Sequence, residues 1–390
     1  MTELAGTSDS RFDPLCEALA QNIANGTEVG ASLVVNIDGT NVVDVWGGWR
    51  DAARTVPWTE DTLVNVCSTT KTLSSLAALV LVDRGWIDVR APVSRYWPEF
   101  AQNGKADVEV RHVLSHSSGV SAWAQPFAPE DSYDLAASTA QLATQPTWWE
   151  PGTASCYHAS TFGHLIGELV RRTTGLGLRE FVEQEITGPL GADFQIGVRE
   201  EDWHRVAEII PPPAAAPAPD DADTSQAVDE SSPAYKTFAG SLVDPGLANT
   251  PDWRRMVNGA VNGHSNARGV AAALSVLALG GEAGGVRLLS PATIELAFEE
   301  QVAGVDLFLG LPLRWGIGYG LRSEGVPFIH NDRTLFWGGW GGSLIIADLE
   351  HRMTISYMMN QMQPGVIGSD VSAAYVDAVY DCLAPTAAGR

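Results

Sequence analysis

Residues 63–85 read LVNVCSTTKTLSSLAALVLVDRG, and this stretch decides the fold. Leu63-Val64-Asn65-Val66, with β-branched Val64 and Val66, reads as a short strand. After Ser68, Leu73, Leu76, Ala77, Val80 and Leu81 recur at helical spacing. The helix is expected to end at Asp83-Arg84-Gly85, with Gly85 as its C′ residue. A strand that runs straight into a helix puts Ser68 at the helix N-terminus, beside free backbone N–H groups and the positive end of the dipole. Ser68 and Lys71 stand at i and i+3, so the amine can reach the hydroxyl. A serine hydroxyl is a weak nucleophile, and a partly buried lysine with a lowered pKa can take its proton or stabilise the base that does.

Outward from this stretch, strands lie toward both ends of the chain. Leu15, Leu19 and Ile23 predict a helix over Arg11 to Asn25. Ala31 to Ile37 and Asn41 to Val45 read as strands joined by a turn at Asp38-Gly39-Thr40. Trp315 to Leu321, Gly342 to Asp348 and Met353 to Met359 are strand-like, and Ser369 to Cys382 is helical. The economical architecture is a mixed α/β (α+β) fold. A discontinuous α/β domain is expected over 1–90 and 260–390, interrupted by a mostly helical inserted domain, 91–259. Within the insertion, 209–235 is rich in Pro, Ala and acid, and reads as a flexible surface loop or a lid.

Two further elements carry chemistry. Trp148-Trp149-Glu150-Pro151-Gly152 makes a turn before Cys156-Tyr157-His158-Ala159, and Tyr157 precedes a helix expected from about Thr161 to Arg172. A phenol at that junction can face a cleft; were Lys71 and the helix dipole to lower its pKa, it would serve as a general base. Phe336-Trp337-Gly338-Gly339-Trp340-Gly341-Gly342-Ser343 leads into a strand. Its glycines let a ligand approach the backbone, where an N–H can join that of Ser68 in an oxyanion hole.

In this order the three elements resemble the serine β-lactamase and penicillin-binding protein superfamily, and within it class C β-lactamases and family VIII carboxylesterases. Val110-Arg111-His112-Val113-Leu114-Ser115-His116-Ser117-Ser118-Gly119 and Asn262-Gly263-His264-Ser265-Asn266-Ala267-Arg268-Gly269 are similar to two further segments of that group. The likeness runs from about Val29 to about Asn360. It implies a split antiparallel sheet flanked by helices. By the resemblance Ser68 is the acylated nucleophile, Lys71 tunes proton transfer and Tyr157 is the general base. The N–H groups of Ser68 and Trp340 form the oxyanion hole. Trp337, Gly338 and Gly339, in the place of the Lys-Thr-Gly element, are expected to bind substrate together with His158.

Two departures bear on the substrate. Trp337 replaces the lysine that would hold a carboxylate, and an indole supplies no charge. Ala159 replaces an expected asparagine. Both favour neutral, apolar acyl groups, so the expected activity is hydrolysis of small-molecule carboxylic esters, including bulky aromatic esters or lactones, through a Ser68 acyl-enzyme. C–N bond cleavage by an amidase, peptidase or β-lactamase is the runner-up, and a non-catalytic sensor on the same fold is the alternative from another class.

Composition narrows the partners. With 45% hydrophobic and 18% charged residues, the chain is ordinary globular protein. A net charge of −23 argues against nucleic acid and anionic membranes. No apolar run reaches the length of a membrane span, and the N-terminus lacks the pattern of a secretory signal, so a cytoplasmic location is expected. Cys16, Cys67, Cys156 and Cys382 have no metal-ligand spacing and read as reduced thiols. No cofactor or metal is expected, and homo-oligomers are compatible with the sequence. Gly263-His264-Ser265-Asn266-Ala267 nearly spells the nucleophile elbow of α/β-hydrolases, but alanine in the last position and the capping roles expected of Ser265 and Asn266 favour structure over catalysis.

Overall fold

The early hairpin finds its partners at the other end of the chain. The structure, a computed structural model, describes residues 4–212, 229–242 and 244–384. Its main sheet has nine strands: β1 (Ala5–Ser8), β2 (Gly30–Ile37), β3 (Thr40–Gly48), β4 (Val302–Val305), β5 (Pro312–Trp315), β6 (Gly320–Leu321), β7 (Thr334–Gly338), β8 (Leu344–Asp348) and β9 (Met353–Met359). They are ordered β1-β3-β2-β9-β8-β7-β6-β5-β4, and neighbours are antiparallel. Strands β7, β8 and β9 are buried along their whole length, which demands cover on both faces.

Register shows where the cover comes from. Leu33 of β2 lies opposite Tyr357 of β9, so their side chains share a face, and the next residue, Ser32, points to the other. On the first face the Tyr357 ring meets Tyr375 of the helix Asp370–Leu383 at 5.1 Å. On the second, Ser32 Oγ accepts from the first N–H of the helix Ala267–Ala278 at 3.1 Å. The sheet is therefore sandwiched between helices. The helix α2 (Thr70–Asp83; the N-terminal helix Asp13–Asn25 is α1) is buried from Thr70 to Leu81. Its hydroxyls are tied down: Ser74 Oγ donates to Gly259 O at 2.6 Å and Ser75 Oγ to Gly318 O at 2.7 Å.

A small sheet aims the stretch that precedes Ser68. Val64–Asn65 pairs with Gly263–Ser265, which pairs in turn with Phe194–Ile196. Between β3 and β4 the remaining described residues are mostly in helices and turns. No helix among the described residues is long and apolar enough to cross a membrane.

Several boundaries differ from the sequence reading. Trp315 to Leu321 is two strands, because residues 316–319 turn back against α2. A Cβ on Gly318 (φ +85°) would stand 2.7 Å from Ser75 Cβ, so the chain can pass there only as glycine. Strand β8 begins at Leu344, after Gly341 and Gly342 in left-handed backbone. Strands β1, β4 and β7 were not foreseen. Ser68 stands in a 3₁₀ turn, Cys67–Thr69, ahead of α2 rather than in its first α-helical turn. Of the loop expected over 209–235, residues 213–228 lie outside the described residues.

Candidate active site

The turn that carries Ser68 is built by its neighbours. Asn65 Oδ1 accepts from the Cys67 N–H at 3.1 Å, and Thr70 Oγ1 donates to Cys67 O while accepting from the Gly263 N–H at 2.7 Å. These bonds hold Cys67 at φ +46°, a left-handed conformation that costs a non-glycine residue about 1–3 kcal/mol. Ser68 is 6% exposed and opens onto a cleft of about 370 Å³.

Lys71 is buried, and no carboxylate among the described residues is an ion-pair partner for it. Its Nζ lies 2.7 Å from Ala159 O, 2.8 Å from Ala260 O and 3.0 Å from Ser68 Oγ. Burial pushes its pKa well below the ordinary 10.5 of lysine. The geometry suits both protonation states. An ammonium donates to all three acceptors; a neutral amine donates to the two carbonyls and turns its lone pair toward the Ser68 hydroxyl.

Tyr157 is buried with its ring centroid 4.7 Å from Lys71 Nζ. Trp337 Nε1–H donates to its phenol oxygen at 3.0 Å. The condition for a phenolate base, a pKa lowered by Lys71 and the helix dipole, is not what the surroundings of Tyr157 favour. Burial drives the phenol above its ordinary range, although the neighbouring Ser68 and Trp337 groups pull the other way. Tyr157 is thus a neutral phenol at neutral pH.

The glycine-rich segment reaches the Ser68 turn closely. A Cβ on Gly339 would lie 2.6 Å from Val66 O and 3.2 Å from Cys67 Cβ, so only glycine fits. Ser343 Oγ donates to Val66 O at 2.9 Å and shares a hydrogen bond with Thr69 Oγ1 at 3.0 Å, fixing the far end of the segment. Trp340 and Ser68 line the same cleft. Neither backbone N–H donates to another described residue.

Ser68, Lys71, Tyr157 and Trp340 are therefore brought together. The residues expected to bind substrate are placed differently. Trp337 is 2% exposed, packed under the cleft against Trp315 at 4.4 Å and Tyr157 at 5.1 Å. His158 is fully buried, its Nδ1 2.7 Å from Cys156 O and its Nε2 2.6 Å from Ser118 Oγ. Desolvation lowers its pKa to about 3, so the ring is neutral. Neither these two nor Gly338 and Gly339 line the cleft. Its walls are apolar and aromatic, with Ile209, Phe238, Trp253, Phe308, Trp340 and Met362 among them, and among the described residues Asp244 is the charged one that lines it. Ile209 and Phe238 flank residues 213–228.

Other candidates resolve into structure. Ser265 Oγ donates to Asp193 O at 2.7 Å and has no base beside it, and Asn266 caps the following helix through the Gly269 N–H at 2.9 Å. Cys67 and Cys156 have thiols pushed up to about 12 by burial, which keeps them protonated. His116, not singled out for this site, packs its ring 4.9 Å from Tyr157 and accepts from the His158 N–H at 3.1 Å.

Comparison with known proteins gives the family and the fold. The model of the Beta-lactamase family matches residues 19–379. The chain is similar to the esterase/beta-lactamase LipL of Mycobacterium tuberculosis, 32% identical over 94% of this chain and 85% of that protein. Among solved structures, a family VIII carboxylesterase superposes with a TM-score of 0.90 at 36% identity, covering 97% of this chain and all of that one. A penicillin-binding protein homologue from Caulobacter crescentus superposes with a TM-score of 0.89 at 32% identity, covering 98% of this chain and 100% of that one.

Proposed function

The chain belongs to the beta-lactamase family, and from that premise we propose that it is a serine hydrolase of carboxylic esters acting through a Ser68 acyl-enzyme. The observation that carries the reading is the 3.0 Å hydrogen-bond contact between Lys71 Nζ and Ser68 Oγ, in a buried site where the amine's pKa is depressed. The esterase names of LipL and the family VIII structure support the bond type.

In this reading the neutral Lys71 amine takes the Ser68 proton as Oγ attacks the ester carbonyl. The N–H groups of Ser68 and Trp340 receive the charge that develops on the carbonyl oxygen. When the tetrahedral intermediate collapses, the Tyr157 O–H protonates the departing alkoxide, and the phenol is reprotonated from the Lys71 ammonium. Water then attacks the acyl-enzyme, giving up a proton along the same path in reverse and releasing the acid. Lys71 and Tyr157 work as a coupled pair.

An apolar cleft with a carboxylate and no cation among its described lining residues favours neutral esters over anionic β-lactams. Aromatic walls suit bulky aromatic esters or lactones. Four unpaired cysteines fit a reducing compartment, and we place the enzyme in the cytoplasm. Hydrolysis of p-nitrophenyl acetate and butyrate by wild type and Ser68→Ala, with nitrocefin in parallel, tests the assignment. Ester turnover lost in the variant, with little nitrocefin cleavage, is expected. Unchanged ester turnover in Ser68→Ala overturns the nucleophile, and dominant nitrocefin cleavage overturns the substrate class.

A further inference from the structure

Asp306 has no place in the chemistry above, yet it is fully buried just after β4 and joins two parts of the site. Its Oδ1 accepts three backbone N–H groups: Tyr157 at 3.2 Å, Phe308 at 3.0 Å and Leu309 at 2.9 Å. The backbone is stitched at the same place. The Leu307 N–H donates to Ser155 O at 2.8 Å, the Gly310 N–H to Asp306 O at 2.8 Å, and the Asp306 N–H to Leu311 O at 2.9 Å. Tyr157 and Phe308 both line the cleft. One oxygen atom therefore sets the segment that carries the phenol against the loop that forms part of the cleft wall. Oδ2 is buried and has no partner among the described residues. A buried polar atom without a partner costs stability, and here that cost falls where the site's geometry is fixed.

We propose that Asp306 is a positioning residue that holds Tyr157 and Phe308 in one register, so that turnover and acyl-chain selectivity depend on the same carboxyl group. The inference rests on the ester-hydrolase reading, in which Tyr157 passes a proton to the leaving group. Asp306 itself touches no reacting atom; it acts through the two residues it ties together.

The experiment compares Asp306→Ala and Asp306→Asn with Tyr157→Phe, on p-nitrophenyl acetate and butyrate. Asp306→Ala is expected to lower kcat by about 10- to 100-fold, because a misplacement of about 1 Å in a reacting group costs that much. It is also expected to lower the butyrate-to-acetate ratio of kcat/KM by about threefold or more as Phe308 loses its anchor. That ratio does not depend on the fraction of enzyme folded, so mere instability leaves it unchanged. Asp306→Asn keeps an oxygen acceptor and is expected to restore both kcat and the ratio to within about threefold of wild type. A wild-type ratio in Asp306→Ala, or an Asp306→Asn as defective as the alanine variant, overturns the inference while an inactive Tyr157→Phe leaves the hydrolase reading standing. A fully active Tyr157→Phe removes Tyr157 from the chemistry and overturns the role given to Asp306, while its ester turnover leaves the hydrolase reading standing.

Discussion

Two lysines are buried in this molecule in nearly the same way, and only one stands beside a serine. Lys71 is held by the carbonyls of Ala159 and Ala260, Lys105 by those of Gln102 and Gln145. Each ammonium is near a ring, Tyr157 at 4.7 Å in one case and Phe100 at 5.3 Å in the other. Burial depresses both pKa values, that of Lys105 to about 8. The difference is the third direction. Lys71 Nζ points at Ser68 Oγ, which opens onto a cleft, whereas Lys105 ties two turns of backbone together. Burial is enough to make a low-pKa amine. A nucleophile and a space for substrate are what make that amine a base.

The largest expected effect follows directly. Lys71→Ala should lower kcat on p-nitrophenyl butyrate by about 10²- to 10⁴-fold, the contribution of a general base. Lys105→Met should leave kcat/KM within about twofold and instead cost about 1–3 kcal/mol of stability, because two carbonyls lose their donor; urea unfolding measures it. If Lys105→Met stopped turnover with the fold intact, the distinction between the two cages would fail.

Acid and base sharpen the contrast. Lys71 must be neutral to accept a proton, so kcat/KM should fall as pH drops through its depressed pKa, with the midpoint below the usual lysine range. Lys105 should be visible in stability instead. Below about 8 it is protonated folded and unfolded, so it adds no slope; from about 8 to the unfolded value of 10.5, only the unfolded chain holds the proton. Stability therefore rises with pH across that window, and Lys105→Met should remove this component of the rise. Denaturant melts at pH 7, 9 and 10 would read it.

The smallest effect concerns the cleft mouth. Asp244 is exposed and its Oδ1 accepts from the Gly246 N–H at 2.8 Å. Asp244→Lys should raise kcat/KM for a monoanionic ester such as mono-p-nitrophenyl succinate by about two- to fivefold, the size of an exposed charge effect. No change relative to a neutral ester would show that Asp244 does not face the bound acyl group.

What could be read from the sequence was chemistry carried by side chains in short motifs. Ser68 and Lys71 share a helical spacing, Tyr157 follows a Pro-Gly turn, and apolar periodicity located α1, α2, β2 and β9. What could not be read was chemistry carried by backbone or by distant pairs. The carbonyls of Ala159 and Ala260 leave no mark on residue type, though they hold Lys71 from 88 and 189 residues away. Trp337 reads as the loss of a lysine, but its indole N–H reaches Tyr157 across 180 residues. The direction of the Tyr157 shift is not legible in the motif, because its largest cause is burial, which no local pattern reports. Asp306 is a lone acid in the apolar run Val305-Asp306-Leu307-Phe308, and only the fold gives it three N–H groups to accept. The strand expected over Trp315 to Leu321 breaks for a similar reason, since Gly318 must pass close to Ser75.

The most direct test of the central claim is covalent labelling with a fluorophosphonate, read by intact mass and peptide mapping. The account predicts a single adduct on the peptide carrying Ser68 in wild type and in Ser265→Ala, none in Ser68→Ala, and labelling slowed at least about 100-fold in Lys71→Ala. An adduct on any other residue, or labelling of Lys71→Ala at the wild-type rate, would contradict it.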